Sequence, residues 1–125
     1  MSDSERYAQG ARSLERVYAN AVPAPPEGSS DFMDLMVRHV FGEVWTRDGL
    51  SVRDRRLLVM GVIAGRGAAD VWRIQAASAL ANGELDAHAL RECIIQLAPY
   101  AGYPAISGLV QVTEQVIAEH AKKKA

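Results

Sequence analysis

The stretch Asp86-Ala-His-Ala-Leu-Arg-Glu-Cys-Ile-Ile-Gln-Leu-Ala-Pro-Tyr-Ala-Gly-Tyr-Pro104 decides the fold. It opens on Asp86, whose side chain suits the free N–H groups of a first helical turn. Leu90, Ile94 and Leu97 follow at helical spacing and predict a helix over 87–98 with one buried stripe. Tyr100-Ala101-Gly102-Tyr103 forms a corner. Pro104 then suits the first position of another helix, where its missing N–H costs nothing.

The same pattern extends outward in both directions. After Pro104 a sixth helix is expected over 104–121, with Ile106, Leu109, Val110, Val116 and Ile117 as its apolar positions. Before Asp86, Gly83 is a natural stop for a fourth helix over 69–82, which carries Val71, Ile74, Ala77 and Leu80. A third helix over 52–65 is expected to bury Leu57, Leu58, Gly61 and Val62, and Gly65 and Gly67 end it. Ser51 with Asp54 resembles a capping box at its start. Gly42 and Gly49 bracket a loop. A second helix over 31–41 is capped by Ser30 and striped by Phe32, Leu35, Met36 and Val40. Pro23, Pro25 and Pro26 separate it from a first amphipathic segment over 4–20, which presents Leu14, Val17 and Tyr18. No alternating pattern of useful length predicts a strand. The reading is an all-α chain, residues 1–125 forming one domain, a bundle of about six helices.

Composition narrows the function. The net charge is −1 with acids and bases interspersed, which leaves no basic field for nucleic acid. Lys122, Lys123 and Lys124 read as a solvated tail suited to a helix C-terminus. Hydrophobic residues make up 49% of only 125 positions, so much apolar surface stays outside a single copy and a homo-oligomer is expected. No apolar run reaches the ~18 residues of a membrane span, and the start shows no leader pattern, so a soluble, cytoplasmic protein without membrane partners is expected. Cys93 is the lone cysteine, which excludes an internal disulfide and a Cys-x-x-Cys pair. His39, His88 and His120 lack metal-ligand spacing, and no phosphate-loop or dinucleotide signature is present, so neither metal nor cofactor is expected.

A few residues stand out for chemistry. Glu43, Trp45 and Arg47 alternate, and in an extended loop all three point one way. They would then form a pocket wall in which Arg47 grips a carboxylate; a packed Trp beside an exposed ion pair is the plainer reading. Arg53, Arg55 and Arg56 suit anion recognition, or simple pairing with Asp48, Asp54 or a neighbouring subunit. Glu92 and Gln96 lie one turn apart on one helical face. A carboxyl such as Glu92 in an apolar cavity can exchange a proton; an exposed Glu paired with an Arg is the alternative. Cys93 is placed on a different face, with Leu90 and Leu97, as an inert thiol packed in or beside the core.

Taken together, the motifs resemble the carboxymuconolactone decarboxylase family. They are Gly42-Glu43-Val44-Trp45 through Leu50-Ser51, Arg53-Asp54-Arg55, Ala79-Leu80-Ala81-Asn82-Gly83, Glu92 through Gln96, and Tyr100 through Pro104. The resemblance spans about residues 41–116. It implies an alkylhydroperoxidase-like helical fold assembled into rings, commonly trimers or hexamers, and a pocket between helices that takes a small-molecule acid or lactone. For a decarboxylase it implies Glu92 for proton transfer, with Glu43 assisting. It further implies Arg47 for the carboxylate or lactone, Gln75 for the lactone carbonyl, and Trp45, Tyr100 and Tyr103 as walls.

Two positions depart from that pattern. Gln75 stands where the family usually carries a His, eight residues before Gly83. A Gln can hydrogen-bond but cannot shuttle a proton near neutral pH, which motivates an alternative expectation of a non-catalytic, oligomeric ligand-binding member. Ile94-Ile95-Gln96 follows Cys93, so the Cys-x-x-Cys of the thiol-peroxidase branch is missing and peroxidase activity is the least expected outcome.

Overall fold

The computed structural model describes residues 1–124. It is all-α, with six α-helices and no strand among the described residues. The chain divides into two compact units, Met1–Val52 and the residues from Arg53 onward.

In the first unit, α1 spans Asp3–Val17 and α2 spans Asp31–Leu35. Each starts as its sequence dictates: Ser2 accepts from the Glu5 N–H and Ser30 from the Met33 N–H, both at 3.1 Å. The helix begun by α2 does not stop at Gly42. It continues as a π-helical segment, Met36–Val44, and the Trp45 N–H still reaches back five residues to the Val40 carbonyl at 3.0 Å. Inward-facing side chains recur every four residues along it. Val37, Phe41 and Trp45 are buried, whereas the expected Phe32 and Leu35 are exposed. The rings of Phe41 and Trp45 lie nearly parallel, 5° apart, with Tyr18 tilted against Phe41. α1 packs on this segment at Gly10, where an added Cβ would sit 2.0 Å from the Val37 carbonyl oxygen.

In the second unit, α3 spans Val52–Gly65, α4 Ala69–Ala81, α5 Ala87–Ala101 and α6 Tyr103–Lys124. The Asp86 cap is present, accepting from the Ala89 N–H at 2.8 Å. α5 runs three residues past the expected end and carries Pro99 inside its last turn. Gly102 alone joins α5 to α6, at φ +100°, a conformation that side chains other than Gly rarely tolerate. Pro104 is thus the second residue of α6, still within the turn whose N–H groups lack helical partners.

The core centres on Trp72, Met60, Leu90, Leu109 and Val116. The Trp72 indole N–H donates to Thr113 Oγ1 at 2.9 Å, and that hydroxyl donates to the Leu109 carbonyl, so both of these buried side chains are satisfied. Two helices are rotated from the expected phase. On α3 the buried residues are Arg56, Met60 and Ala64, while Leu58 and Val62 are exposed. On α4, Trp72, Gln75, Ala76, Ala79 and Leu80 are buried, while Val71 and Ile74 face out. Both helices carry apolar residues around most of their circumference, so spacing alone does not choose a face. No helix among the described residues is long and apolar enough to cross a membrane.

Candidate active site

A cavity of about 540 Å³ opens in the second unit. α3 supplies Arg53, Leu57 and Met60, spaced i, i+4 and i+7. α5 supplies Ala89, Glu92, Cys93, Gln96 and Leu97, again one stripe of a helix, and Leu85 completes the wall from the turn before α5. The surroundings are therefore mostly aliphatic, with one guanidinium, one carboxyl, one carboxamide and one thiol. That composition is typical of a small-molecule site, in which an apolar body is fixed by a few polar groups.

Arg53 is half exposed and held from two sides. Its Nε donates to the Glu84 carbonyl at 3.2 Å, and its Nη1 lies 3.6 Å from Asp54 Oδ1. Glu92 and Gln96 line the cavity with exposed side chains. Cys93 borders both the core and the cavity, beside Glu92 on the same stripe rather than on a separate face. Burial pushes its thiol above the ordinary value, and the smaller opposing pull comes from Arg53. The group is a thiol, not a thiolate, near neutral pH.

One turn along α3, Arg56 is fully buried. Its Nε donates to Glu84 Oε1 at 2.8 Å and its Nη2 to Glu84 Oε2 at 3.2 Å, a two-toothed pair. Its Nη1 donates to Gln75 Oε1 at 2.7 Å. Gln75 thus meets a buried guanidinium and is not one of the cavity-lining residues. The Glu84 partner was not foreseen, because nothing in a local spacing links positions 56, 75 and 84.

The other expected site residues lie elsewhere. Tyr100 and Tyr103 are exposed at the α5–α6 corner; Tyr103 borders a separate apolar recess with Ile95, Ala98 and Val110. In the first unit, Glu43 lies in the last turn of the π-helical segment and pairs with His39 Nδ1 at 3.1 Å, across the position where a helix boundary was expected. It borders a small recess with Arg6, Gln9 and Arg38. Trp45 is buried against Phe41, and Arg47 is exposed. The three do not project together from an extended loop, because the backbone is helical through Val44 and remains so at Trp45. Among the described residues, no group of three or more His, Cys, Asp or Glu is placed to hold a metal ion.

Residues 30–115 match the Carboxymuconolactone decarboxylase family. The chain is 29% identical over 121 residues to the 4-carboxymuconolactone decarboxylase of Acinetobacter baylyi, covering 93% of this chain and 90% of that protein. It is 30% identical over 108 residues to the nitrosuccinic acid decarboxylase of Metarhizium robertsii, covering 86% and 72% respectively. An uncharacterized 15.0 kDa protein of Paracoccus denitrificans is 31% identical over 106 residues, covering 83% of this chain and 73% of its own length. With most of its length matched, and with an all-helical fold that places Arg53, Glu92 and Gln96 around one cavity, the chain belongs to the carboxymuconolactone decarboxylase family.

Proposed function

We propose that this protein is a carboxy-lyase acting on a small carboxylated lactone or related unsaturated acid in the α3–α5 cavity. The observation that carries the reading is the joint presence of Arg53, Glu92 and Gln96 over an aliphatic floor. Two relatives named as decarboxylases support the reaction class. In such a reaction the bond between carbon and the leaving carboxylate breaks, carbon dioxide departs, and the electron pair passes into a conjugated carbonyl. The resulting carbanion is then protonated.

Each residue follows from those needs. The leaving carboxylate loses its charge, so it is best placed against Leu57, Met60 and Leu97, where water is scarce. Arg53 holds the part of the substrate that stays negative, a second carboxylate or the enolate oxygen, and so favours the transition state over the ground state. Gln96 donates a hydrogen bond to the same oxygen. Glu92 delivers the proton to carbon. Arg53 therefore takes the anion-binding role that the sequence suggested for Arg47, and Gln75 keeps a structural one. Self-association as a trimer or hexamer belongs to the same proposal; the exposed Leu58, Val62, Ile95 and Tyr103 support it, and light scattering tests it.

The deciding experiment follows γ-carboxymuconolactone by its ultraviolet absorbance with wild type and Glu92→Gln side by side. The expected result is turnover in the wild type and a kcat lower by roughly 10²-fold or more in the variant, with the melting temperature unchanged. Full activity in Glu92→Gln removes Glu92 from the mechanism. A second reading, a non-catalytic binder of the same acids, rests on Gln75 being engaged by Arg56, where the family pattern has a proton-carrying His. An acid that stays intact on long incubation yet raises the melting temperature selects that reading.

A further inference from the structure

The Arg56–Glu84 pair is more than a buried contact, because Glu84 serves two arginines through two different groups. Its carboxylate accepts both teeth of Arg56, and Asn82 Nδ2 adds a donor to Oε2 at 3.3 Å. Its main-chain carbonyl accepts from Arg53 Nε. The next residue, Leu85, is buried and lines the cavity. The pair is not needed to fill space, since well-packed apolar residues of similar volume commonly replace buried ion pairs without loss of stability. A charged pair does what an apolar cluster does not: it fixes direction.

We propose that Glu84 is a positioning residue. Buried Arg56 pins its carboxylate, and its main-chain carbonyl then holds Arg53 Nε so that, with Nη1 beside Asp54, Nη2 faces the cavity. A long Arg side chain left free on a helix surface samples many rotamers, and that lost freedom weakens anion capture. Tying Nε to Glu84, with Nη1 beside Asp54, leaves Nη2 presented at a fixed place. The functional consequence rests on the decarboxylase reading above; the positioning itself does not.

The test uses Cys93, the lone cysteine, as a reporter inside the same cavity. The Arg53 guanidinium opposes the burial that raises the thiol's pKa, and Glu92 lines the same cavity as the other charged group. The pH midpoint of iodoacetamide alkylation is measured in wild type, in Arg53→Ala, and in a variant with an apolar cluster, Gln75→Leu/Arg56→Met/Glu84→Leu, which leaves no buried charge unpaired. The cluster variant is expected to melt cooperatively near the wild-type temperature. Its thiol midpoint is expected to rise toward that of Arg53→Ala, and adding Arg53→Ala to the cluster is expected to bring it to the Arg53→Ala value and no higher. A folded cluster variant with the wild-type midpoint overturns the proposal, as does a combined midpoint above that of Arg53→Ala. Glu84→Gln decides if the cluster variant fails to melt cooperatively: a smaller rise supports the proposal and a wild-type midpoint refutes it. With γ-carboxymuconolactone, KM is expected to rise in the cluster variant, by no more than in Arg53→Ala. Absence of turnover in the wild type counts against the decarboxylase reading alone, because the thiol measurement needs no substrate.

Discussion

Arg53 and Arg56 stand one turn apart on α3 and carry the same group into opposite circumstances. Arg56 is sealed in the second unit, with both teeth of its guanidinium on Glu84 and a third donor on Gln75. Arg53 is half exposed, held at Nε by the Glu84 carbonyl and at Nη1 by an ion pair with Asp54, and borders a cavity. The difference teaches that charge and helical position do not set an arginine's role. What sets it is whether water is already gone before a ligand arrives. A guanidinium whose donors are all taken in the interior has nothing to offer a substrate. One with open donors beside an aliphatic hollow has both an anion preference and a place to exercise it.

The largest effect that would break this contrast is on stability. Arg56→Ala leaves the Glu84 carboxylate without its cation and Gln75 Oε1 without its donor, and is expected to cost about 3–5 kcal/mol. Urea denaturation measures it; a loss under about 1 kcal/mol, the size of an exposed pair, would erase the distinction from Arg53. Arg53→Ala sharpens the other half. Stability is expected to stay within about 0.5 kcal/mol of wild type, as for ordinary surface changes. KM for the acid is expected to rise by about tenfold or more, the size of a lost charged hydrogen bond. A stability loss like that of Arg56→Ala would show that Arg53 is structural too.

Cys93→Ser tests whether the cavity's remaining polar group takes part. With its thiol held protonated by burial, peroxide consumption is expected to be the same in variant and wild type. A rate that falls in the variant would restore a thiol mechanism. The smallest effect belongs to the third arginine in the comparison, Arg91, whose guanidinium meets both oxygens of Glu114 at 2.9 Å between exposed side chains. Hydrogen bonding and attraction to Arg91 hold the Glu114 carboxyl below its ordinary value. A lowered carboxyl adds stability that is complete above the unfolded pKa and fades as pH falls through the folded one. Arg91→Ala is therefore expected to narrow the melting difference from wild type as pH drops below the usual carboxylate range. Comparing the two proteins in acid and at neutral pH by thermal melting checks this, and a difference that widens in acid contradicts it.

Much of the fold was legible along the chain. Ser30 and Asp86 cap helices as expected, α3 spans 52–65, and the α5–α6 corner lies at Gly102. The residues that identify the family were also readable, and they placed Glu92 and Gln96 on one face. The site was less legible. Leu58 and Val62 were expected inside and lie outside, because a helix apolar on most sides gives no directional signal. Glu43, Trp45 and Arg47 were expected to share a direction, and the π-helical winding removes it by carrying the helix through Gly42. Cys93 was placed away from Glu92, yet a cavity stripe three and four residues wide admits both.

What the sequence by itself determined is local: where helices start and stop, since caps, glycines and prolines act within a turn or two of themselves, and which family the ordered motifs spell. What only the tertiary structure decided is the partnership of distant residues. Arg56, Gln75 and Glu84 meet because three segments of the second unit pack together, and burial then turns one arginine into a fixed strut. The neighbouring Arg53 keeps open donors over an apolar hollow, and no spacing in the chain distinguishes the two.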